Sequence, residues 1–74
     1  GRRVSEKARV SSGAKIIGPC VLMPDAHIES GATVGPYAFI DRGAHVLSNV
    51  HLRNAVVWPN VSVAESVENT VVFR

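Results

Sequence analysis

Three histidines are the side chains of this 74-residue sequence whose chemistry most readily suggests a metal site or a catalytic base. His45 follows His27 by 18 residues, which is three times six, and His51 follows His45 by six residues. If three steps of six residues complete one coil, the first two rings lie on neighbouring strands about 4.8 Å apart and could share a metal ion. No convergent third ligand is evident, however, so the spacing favours solvated histidines over metal or acyl-transfer chemistry.

The other candidates for chemistry have simpler explanations. Cys20 is the only cysteine, so it cannot form an internal disulfide, and it stands in a series of small residues that packing alone explains. Asp25, Glu29 and Asp41 are expected to be solvated charges, because no two of them can be placed together as catalytic carboxylates. We therefore assign no catalytic, cofactor-binding or metal-binding residue in this chain.

A six-residue period organises most of the chain. Steps of six give a run of branched aliphatic residues: Val4, Val10, Ile16, Leu22, Ile28, Val34, Ile40, Val46 and Leu52. Small residues stand two positions earlier: Ala8, Ala14, Cys20, Ala26, Ala32, Ala38 and Ala44. A step of six turns by about 240° on an α-helix but stays on one face of an extended chain. Both series therefore predict short strands whose rows of small and aliphatic side chains face inward.

Turn residues separate the predicted strands. Three hexads complete one coil, so Leu22 should stack under Ile40, and Ile16 under Val34. The turns contain Gly13, Gly31, Gly43, Pro19, Pro24 and Pro36. The sequence therefore predicts an all-β fold, a single-stranded parallel β-helix of about four triangular coils. It forms one domain over residues 1–74, with a basic lead-in and first partial coil at residues 1–9.

The period changes after Leu52. The next small and aliphatic pair, Ala55 and Val57, arrives five residues later where six are expected. Residues 52–74 are therefore predicted to form irregular, shortened terminal coils. Their turns are marked by Asn54, Asn60 and Asn69.

Outward positions on one predicted face are apolar as well. They flank the inward residues Leu22, Ile40 and Val57, and five of them cluster on adjacent coils. The five are Val21, Met23, Phe39, Val56 and Trp58. A contiguous apolar patch of this kind usually marks an interface, so we expect a contact surface for another subunit or for a further domain, in preference to cover by a local loop.

Composition and charge exclude several functions. The chain is 46% hydrophobic but only 5% aromatic, and its net charge of +2 comes from a short basic start without interleaved aromatics, which argues against nucleic-acid binding. No long apolar run or signal peptide is present, so we expect no membrane association and a reducing, cytoplasmic setting. The first residue is Gly1 and the single methionine is Met23, so we expect a piece of a longer protein.

Two sets of segments carry a resemblance to known families. IESGAT at residues 28–33 and IDRGAH at residues 40–45 resemble the hexapeptide repeats of left-handed β-helix proteins, which implies left-handed coils. LRNAVVWPNVSV at residues 52–63 and ENTVVF at residues 68–73 are similar to the C-terminal region of sugar-1-phosphate nucleotidyltransferases, especially those like mannose-1-phosphate guanylyltransferase. The resemblance, which covers roughly residues 15–73, implies a parent enzyme of nucleotide-sugar biosynthesis that uses Mg²⁺ and a nucleoside triphosphate.

That family's glycine-rich phosphate loop and metal-binding aspartates have no counterpart in this sequence. The resemblance therefore implies a C-terminal module without catalytic residues or cofactors, used for oligomerisation or for docking the missing catalytic domain. The alternative is a fragment of a hexapeptide-repeat acyltransferase, in which a histidine at a subunit seam acts as general base. Gamma-class carbonic anhydrases also carry histidines on β-helices, which keeps His27, His45 and His51 open as candidates.

Overall fold

The computed structural model describes residues 1–73, which contain strands and turns and no helix. The strands are parallel and stack as a β-solenoid of about four turns, so the predicted all-β, coiled fold is confirmed. In chain order they are β1 (Arg2–Val4), β2 (Arg9–Val10), β3 (Lys15–Ile16), β4 (Cys20–Leu22), β5 (His27–Ile28), β6 (Thr33–Val34), β7 (Ala38–Ile40), β8 (His45–Val46), β9 (His51–Val57), β10 (Ser62–Val63) and β11 (Val67–Val72).

Each coil contributes one strand segment to each of three faces. Face A stacks β1, β4, β7 and the second halves of β9 and β11. Face B stacks β2, β5, β8 and β10. Face C stacks β3, β6 and the first halves of β9 and β11. The register confirms the predicted stacks, because Leu22 pairs with Ile40 and Ile16 with Val34.

The two predicted inward rows form the core from the second coil onward. Leu22, Ile28, Ile40 and Val46 are at most 1% exposed, and the small residues from Cys20 to Ala44 are buried between them. In the first coil the same rows are only partly covered. Val4 is 41% exposed, although its register with Leu22 is as predicted, and Ala8, Ala14 and Ile16 are partly buried against the core. The inward direction predicted for this coil is confirmed, and within residues 1–73 its strands pair on one side only.

The corners between faces use left-handed backbone at stacked positions. Asp25, Gly43 and Asn60 have φ angles of 66°, 71° and 61° and follow one another on adjacent coils. These are residue types that tolerate this conformation best. At another corner Gly35, with φ of 103°, lies so close to the coil below that an added Cβ would sit 1.8 Å from the carbonyl oxygen of Ile17. Only glycine can occupy that position without moving the backbone.

The coils become shorter towards the C-terminus. Ala38 pairs with Ala55, one residue short of three hexads, which confirms the predicted slip after Leu52. Leu52 then pairs with Val67, three residues short of three hexads. Because the corner between face C and face A is too short for a separate turn, β9 and β11 each run across both faces. They bend at Asn54 and Asn69, whose φ angles are 49° and 57°.

Candidate functional site

The five predicted interface residues lie together on face A. The register places Val21 beside Phe39 and Phe39 beside Val56, as outward neighbours on successive strands. The pairing of β11 extends this row by one more strand, to Val71. Met23 and Trp58 each follow an inward residue of the same face, at the ends of β4 and β9.

The structure adds two residues to this face that the sequence reasoning missed. Val71 completes the row, and the ring of Phe73 lies 5.4 Å from that of Trp58, centroid to centroid, at 43°. We call the whole set the apolar surface: Val21, Met23, Phe39, Val56, Trp58, Val71 and Phe73. The sequence does contain a signal for these two residues. LRNAVVW at residues 52–58 aligns with VENTVVF at residues 67–73, and this alignment gives the register of the last coil.

Much of the apolar surface is open to solvent. Trp58 is 50% exposed and Phe73 61%, and Val56 and Val71 are also exposed. An aromatic side chain carries roughly 200 Å² of surface, so these two rings alone present about 200 Å² of accessible apolar area. With the valines added, the surface reaches the size of the largest apolar patch on a typical monomer, about 300 to 600 Å².

The histidine pair lies on face B and does not have the geometry of a shared metal site. His27 and His45 are paired in register, with ring centroids 4.6 Å apart and planes 8° from parallel. The nitrogen lone pairs of two stacked rings lie in parallel planes and do not converge on one ion. Among residues 1–73 no group of three metal-ligating side chains is assembled, and His51 lies on face C beside Thr33.

His45 has a specific polar partner that the sequence did not reveal. Its Nε2 forms a short hydrogen bond with the Glu29 carboxylate, and the Ser48 hydroxyl donates to the other carboxylate oxygen at 2.8 Å. The Ser48 hydrogen bond is the largest influence on Glu29, and together with His45 it outweighs partial desolvation and lowers the pKa of that carboxyl. Glu29 therefore remains a solvent-accessible charge, as expected, with two hydrogen-bonding partners that the sequence did not indicate. The group is a polar cluster on the surface.

Cys20 has the environment of a packed side chain. It is 5% exposed and stands beside Ala38 in the inward row of small residues. Burial raises the pKa of its thiol, even though the nearby Arg2 and N-terminal amine act in the opposite direction. A thiol kept protonated in this way is a poor nucleophile, so its position is explained by packing.

The shortening of the coil between Leu52 and Val67 leaves a surface depression of about 370 Å³ on face C. His51, Arg53, Ser66 and Glu68 line it. Arg53 and Glu68 form an ion pair at 3.5 Å, and the Ser66 hydroxyl accepts a hydrogen bond from the backbone amide of His51 at 2.9 Å. Both contacts join β9 to the last coil, and the ion pair between exposed side chains adds little stability.

Comparison with known protein families, with curated proteins and with solved structures finds no match to this chain. Within the residues that the structure describes, no helix has the length and apolarity needed to cross a bilayer.

Proposed function

We propose that this chain is a non-catalytic, left-handed β-helical module of a sugar-1-phosphate nucleotidyltransferase, and that its apolar surface mediates self-association or docking of the catalytic domain. The observation that carries the proposal is the unbroken outward row from Val21 through Phe39 and Val56 to Val71. A solenoid buries its core inside the coils, and cross-strand contacts along an outward apolar row bury only part of that row. The exposed parts of Val56, Trp58, Val71 and Phe73 are removed from water only when another surface covers them.

The aromatic pair supplies the centre of the proposed contact. Trp58 and Phe73 are the residue types that dominate binding energy at interfaces, because each buries a large rigid area at little entropic cost. They contact each other beside the C-terminal end of the row. Met23 holds the equivalent position two coils earlier, and Asp41 holds it on the coil between them. Domains within one chain commonly bury about 600 to 1,500 Å² in total, a range that this surface can supply as one side.

The enzyme class rests on the resemblance of residues 52–63 and 68–73 to nucleotidyltransferase C-terminal regions. A β-solenoid of about four turns is compatible with that resemblance. In this proposal the catalytic domain of the parent binds Mg²⁺ and the nucleoside triphosphate, and the parent works in the cytoplasm. The stacking of His27 on His45 gives the acyltransferase alternative no specific support.

The test is a double substitution, Trp58→Arg with Phe39→Glu, on the apolar surface. Sedimentation velocity over a range of protein concentrations should show association for the unmodified chain and a monomer for the variant, with the same β-type circular dichroism spectrum. A control that adds the same residue types elsewhere, Ser62→Arg on face B with Lys15→Glu on face C, should associate normally.

Two results would contradict the proposal. If the Trp58→Arg, Phe39→Glu variant and the unmodified chain have the same mass at every concentration, the apolar surface does not mediate self-association. The docking form is then tested by adding the separately expressed catalytic domain of the parent, which should bind the unmodified chain and not the variant. Turnover of sugar phosphate and nucleotide, or of acyl-coenzyme A, by this chain alone would refute its non-catalytic role.

A further inference from the structure

Tyr37 is held in a backbone conformation that its residue type disfavours. Within residues 1–73, the non-glycine residues with left-handed φ angles are Asp25, Tyr37, Asn49, Asn54, Asn60 and Asn69. Asparagine and aspartate tolerate this region because a short polar side chain can hydrogen-bond locally, whereas a bulky aromatic residue at φ of 61° is an outlier. Outliers of this kind persist where the side chain has a function, so Tyr37 is the first candidate for a further role.

An asparagine at this position would suit the fold better. The strand register places Tyr37, Asn54 and Asn69 at the same corner of successive coils, between face C and face A. The Asn54 side-chain amide donates a hydrogen bond to the Asn69 amide oxygen at 2.7 Å, so two of the three corner residues already form an amide ladder. A third asparagine would adopt the left-handed backbone with less strain and could extend that ladder. The needs of the coil therefore do not explain the tyrosine ring.

The ring is exposed although its coil has a neighbour on each side. The Tyr37 backbone amide donates a hydrogen bond to the carbonyl oxygen of Pro19 on the preceding coil, and the Tyr37 carbonyl accepts one from the amide of Ala55 on the following coil. Because both neighbouring coils are present, the 66% exposure of Tyr37 is not a consequence of lying at an end of the solenoid. Tyr37 is also more exposed than Trp58 or Phe73 of the apolar surface.

Tyr37 lines a surface depression of about 400 Å³ at this corner. We call it the corner depression, and its lining residues are Pro36, Tyr37, Arg53, Asn54 and Asn69. Its volume is within the range of small-molecule sites, about 300 to 1,000 Å³, and it combines an aromatic ring with a few polar groups as such sites do. It shares no residue with the apolar surface, and only Arg53 with the depression on face C.

The polar groups of the corner depression are two neutral amides and a cation that already has an anionic partner. Arg53 forms its ion pair with Glu68 at 3.5 Å. Glu68 also accepts a hydrogen bond from the Asn69 amide at 3.4 Å, so the contacts of Asn69 with Glu68 and Asn54 orient both asparagines. Within residues 1–73 neither the Asn54 amide oxygen nor the Tyr37 hydroxyl takes part in a protein hydrogen bond, which leaves both groups available to a ligand.

We propose that the corner depression binds a neutral pyranose sugar. One face of a pyranose ring consists of C–H groups and can stack on the Tyr37 ring, while the hydroxyls at its edge both donate and accept hydrogen bonds. The asparagine amides offer a donor and an acceptor, and the remaining Arg53 N–H groups donate, so together they match neighbouring hydroxyls. A phosphate or carboxylate would have to compete with Glu68 for Arg53. The inference does not rest on the proposed function, because no residue of the apolar surface takes part.

Sugar binding is tested on the full chain by NMR. Methyl α-D-glucopyranoside, methyl α-D-mannopyranoside and methyl α-D-galactopyranoside are each titrated into the isotopically labelled chain to about 50 mM, because a small ligand in an open depression should bind with a dissociation constant of about 1 to 10 mM. Sorbitol, which has the hydroxyls without the ring, is the control polyol, and inorganic phosphate is the control anion. At least one pyranoside should shift the amide signals of Tyr37, Asn54 and Ala55, and neither control should do so.

Three substitutions separate the loss of binding from a loss of folding. Tyr37→Asn removes the ring and relieves the backbone, so it should weaken binding about tenfold or more while the melting temperature stays the same or rises. Tyr37→Phe keeps the ring and should bind within about threefold of the unmodified chain, because one exposed hydroxyl contributes little. Phe73→Asn removes a comparably exposed aromatic side chain from the apolar surface and should bind the sugar normally.

The proposal is overturned if no pyranoside binds, if sorbitol binds as well as the pyranosides, or if phosphate shifts the same amides in their place. It is also overturned if Tyr37→Asn binds as the unmodified chain does, or if Phe73→Asn loses binding to the same degree. A lower melting temperature for Tyr37→Asn would show that the ring serves the fold and would remove the reason for a ligand. Loss of self-association in the Trp58→Arg, Phe39→Glu variant bears on the proposed function alone.

Discussion

Three valines of face B provide a matched test of how the solenoid is closed at its ends. Val10, Val46 and Val63 occupy the same inward row in the first, third and last coils, and they are 38%, 0% and 3% exposed. Each is changed to alanine, which removes the same two carbon groups at all three positions. Any difference in the free energy of unfolding therefore reports how completely each site is covered.

The expected costs follow from burial. Removing two buried carbon groups costs about 1.6 kcal/mol of transfer free energy. A cavity enclosed by neighbouring coils adds about 1 kcal/mol, so Val46→Ala should cost about 2.5 kcal/mol. Val63→Ala should cost nearly as much, because the Val63 side chain is only 3% exposed. Val10→Ala should cost at most about 1 kcal/mol, since its side chain is already partly in water and no closed cavity results.

The assay is urea unfolding followed by circular dichroism, with the slope of the free energy against urea concentration checked for constancy across the variants. A cost at Val10 equal to that at Val46 would refute the open N-terminal end. A cost at Val63 as small as that at Val10 would refute the burial of Val63 in the last coil.

Further predictions concern a corner and a surface cluster. Gly35→Ala should destabilise the fold by at least about 2 kcal/mol, because the added Cβ would lie 1.8 Å from the carbonyl oxygen of Ile17. In the control Gly13→Ala the nearest atom is 3.8 Å away, so this substitution should cost only the roughly 1 kcal/mol of left-handed backbone strain. Thermal unfolding of both variants measures the difference in stability. The pKa of Glu29 is lowered in the folded chain, so its contribution to stability should be present at neutral pH and be lost as pH falls through that lowered pKa. Ser48→Ala should raise the pKa of Glu29 in an NMR titration, and an unchanged pKa would show that the hydroxyl does not act on it.

The sequence was sufficient to predict the regular part of the fold. Because one inward residue recurs at every sixth position, the rows through Leu22, Ile28 and Val34 fix both the strand direction and the pairing register. Burial of the first coil could not be read in this way. A periodic pattern states which side chains face inward, but only the presence of a neighbouring coil determines whether they are covered, and within the described chain Val4 has none beneath it.

The candidate site was predictable where it follows a repeat in the sequence, either the six-residue period or the match of residues 52–58 with residues 67–73, and not where it depends on side-chain direction. Val21, Phe39 and Val56 fall at outward positions that the hexads and the first slip locate. Val71 and Phe73 depend on the second slip, which alters the register by two more residues. The hydrogen bond between Glu29 and His45 depends on the direction of two side chains at a corner, and no spacing rule specifies that direction.

The short separation between paired strands shapes how this molecule can come apart. Each strand of residues 1–73 pairs with strands of the neighbouring coil, at most three hexads away, so no strand pairing joins the first coil to the last. Fraying of the first coil breaks pairings only with the second, and the remaining stack keeps its own hydrogen bonds. Local opening of a terminal coil is therefore expected to leave intact the hydrogen bonds of every coil beyond its immediate neighbour.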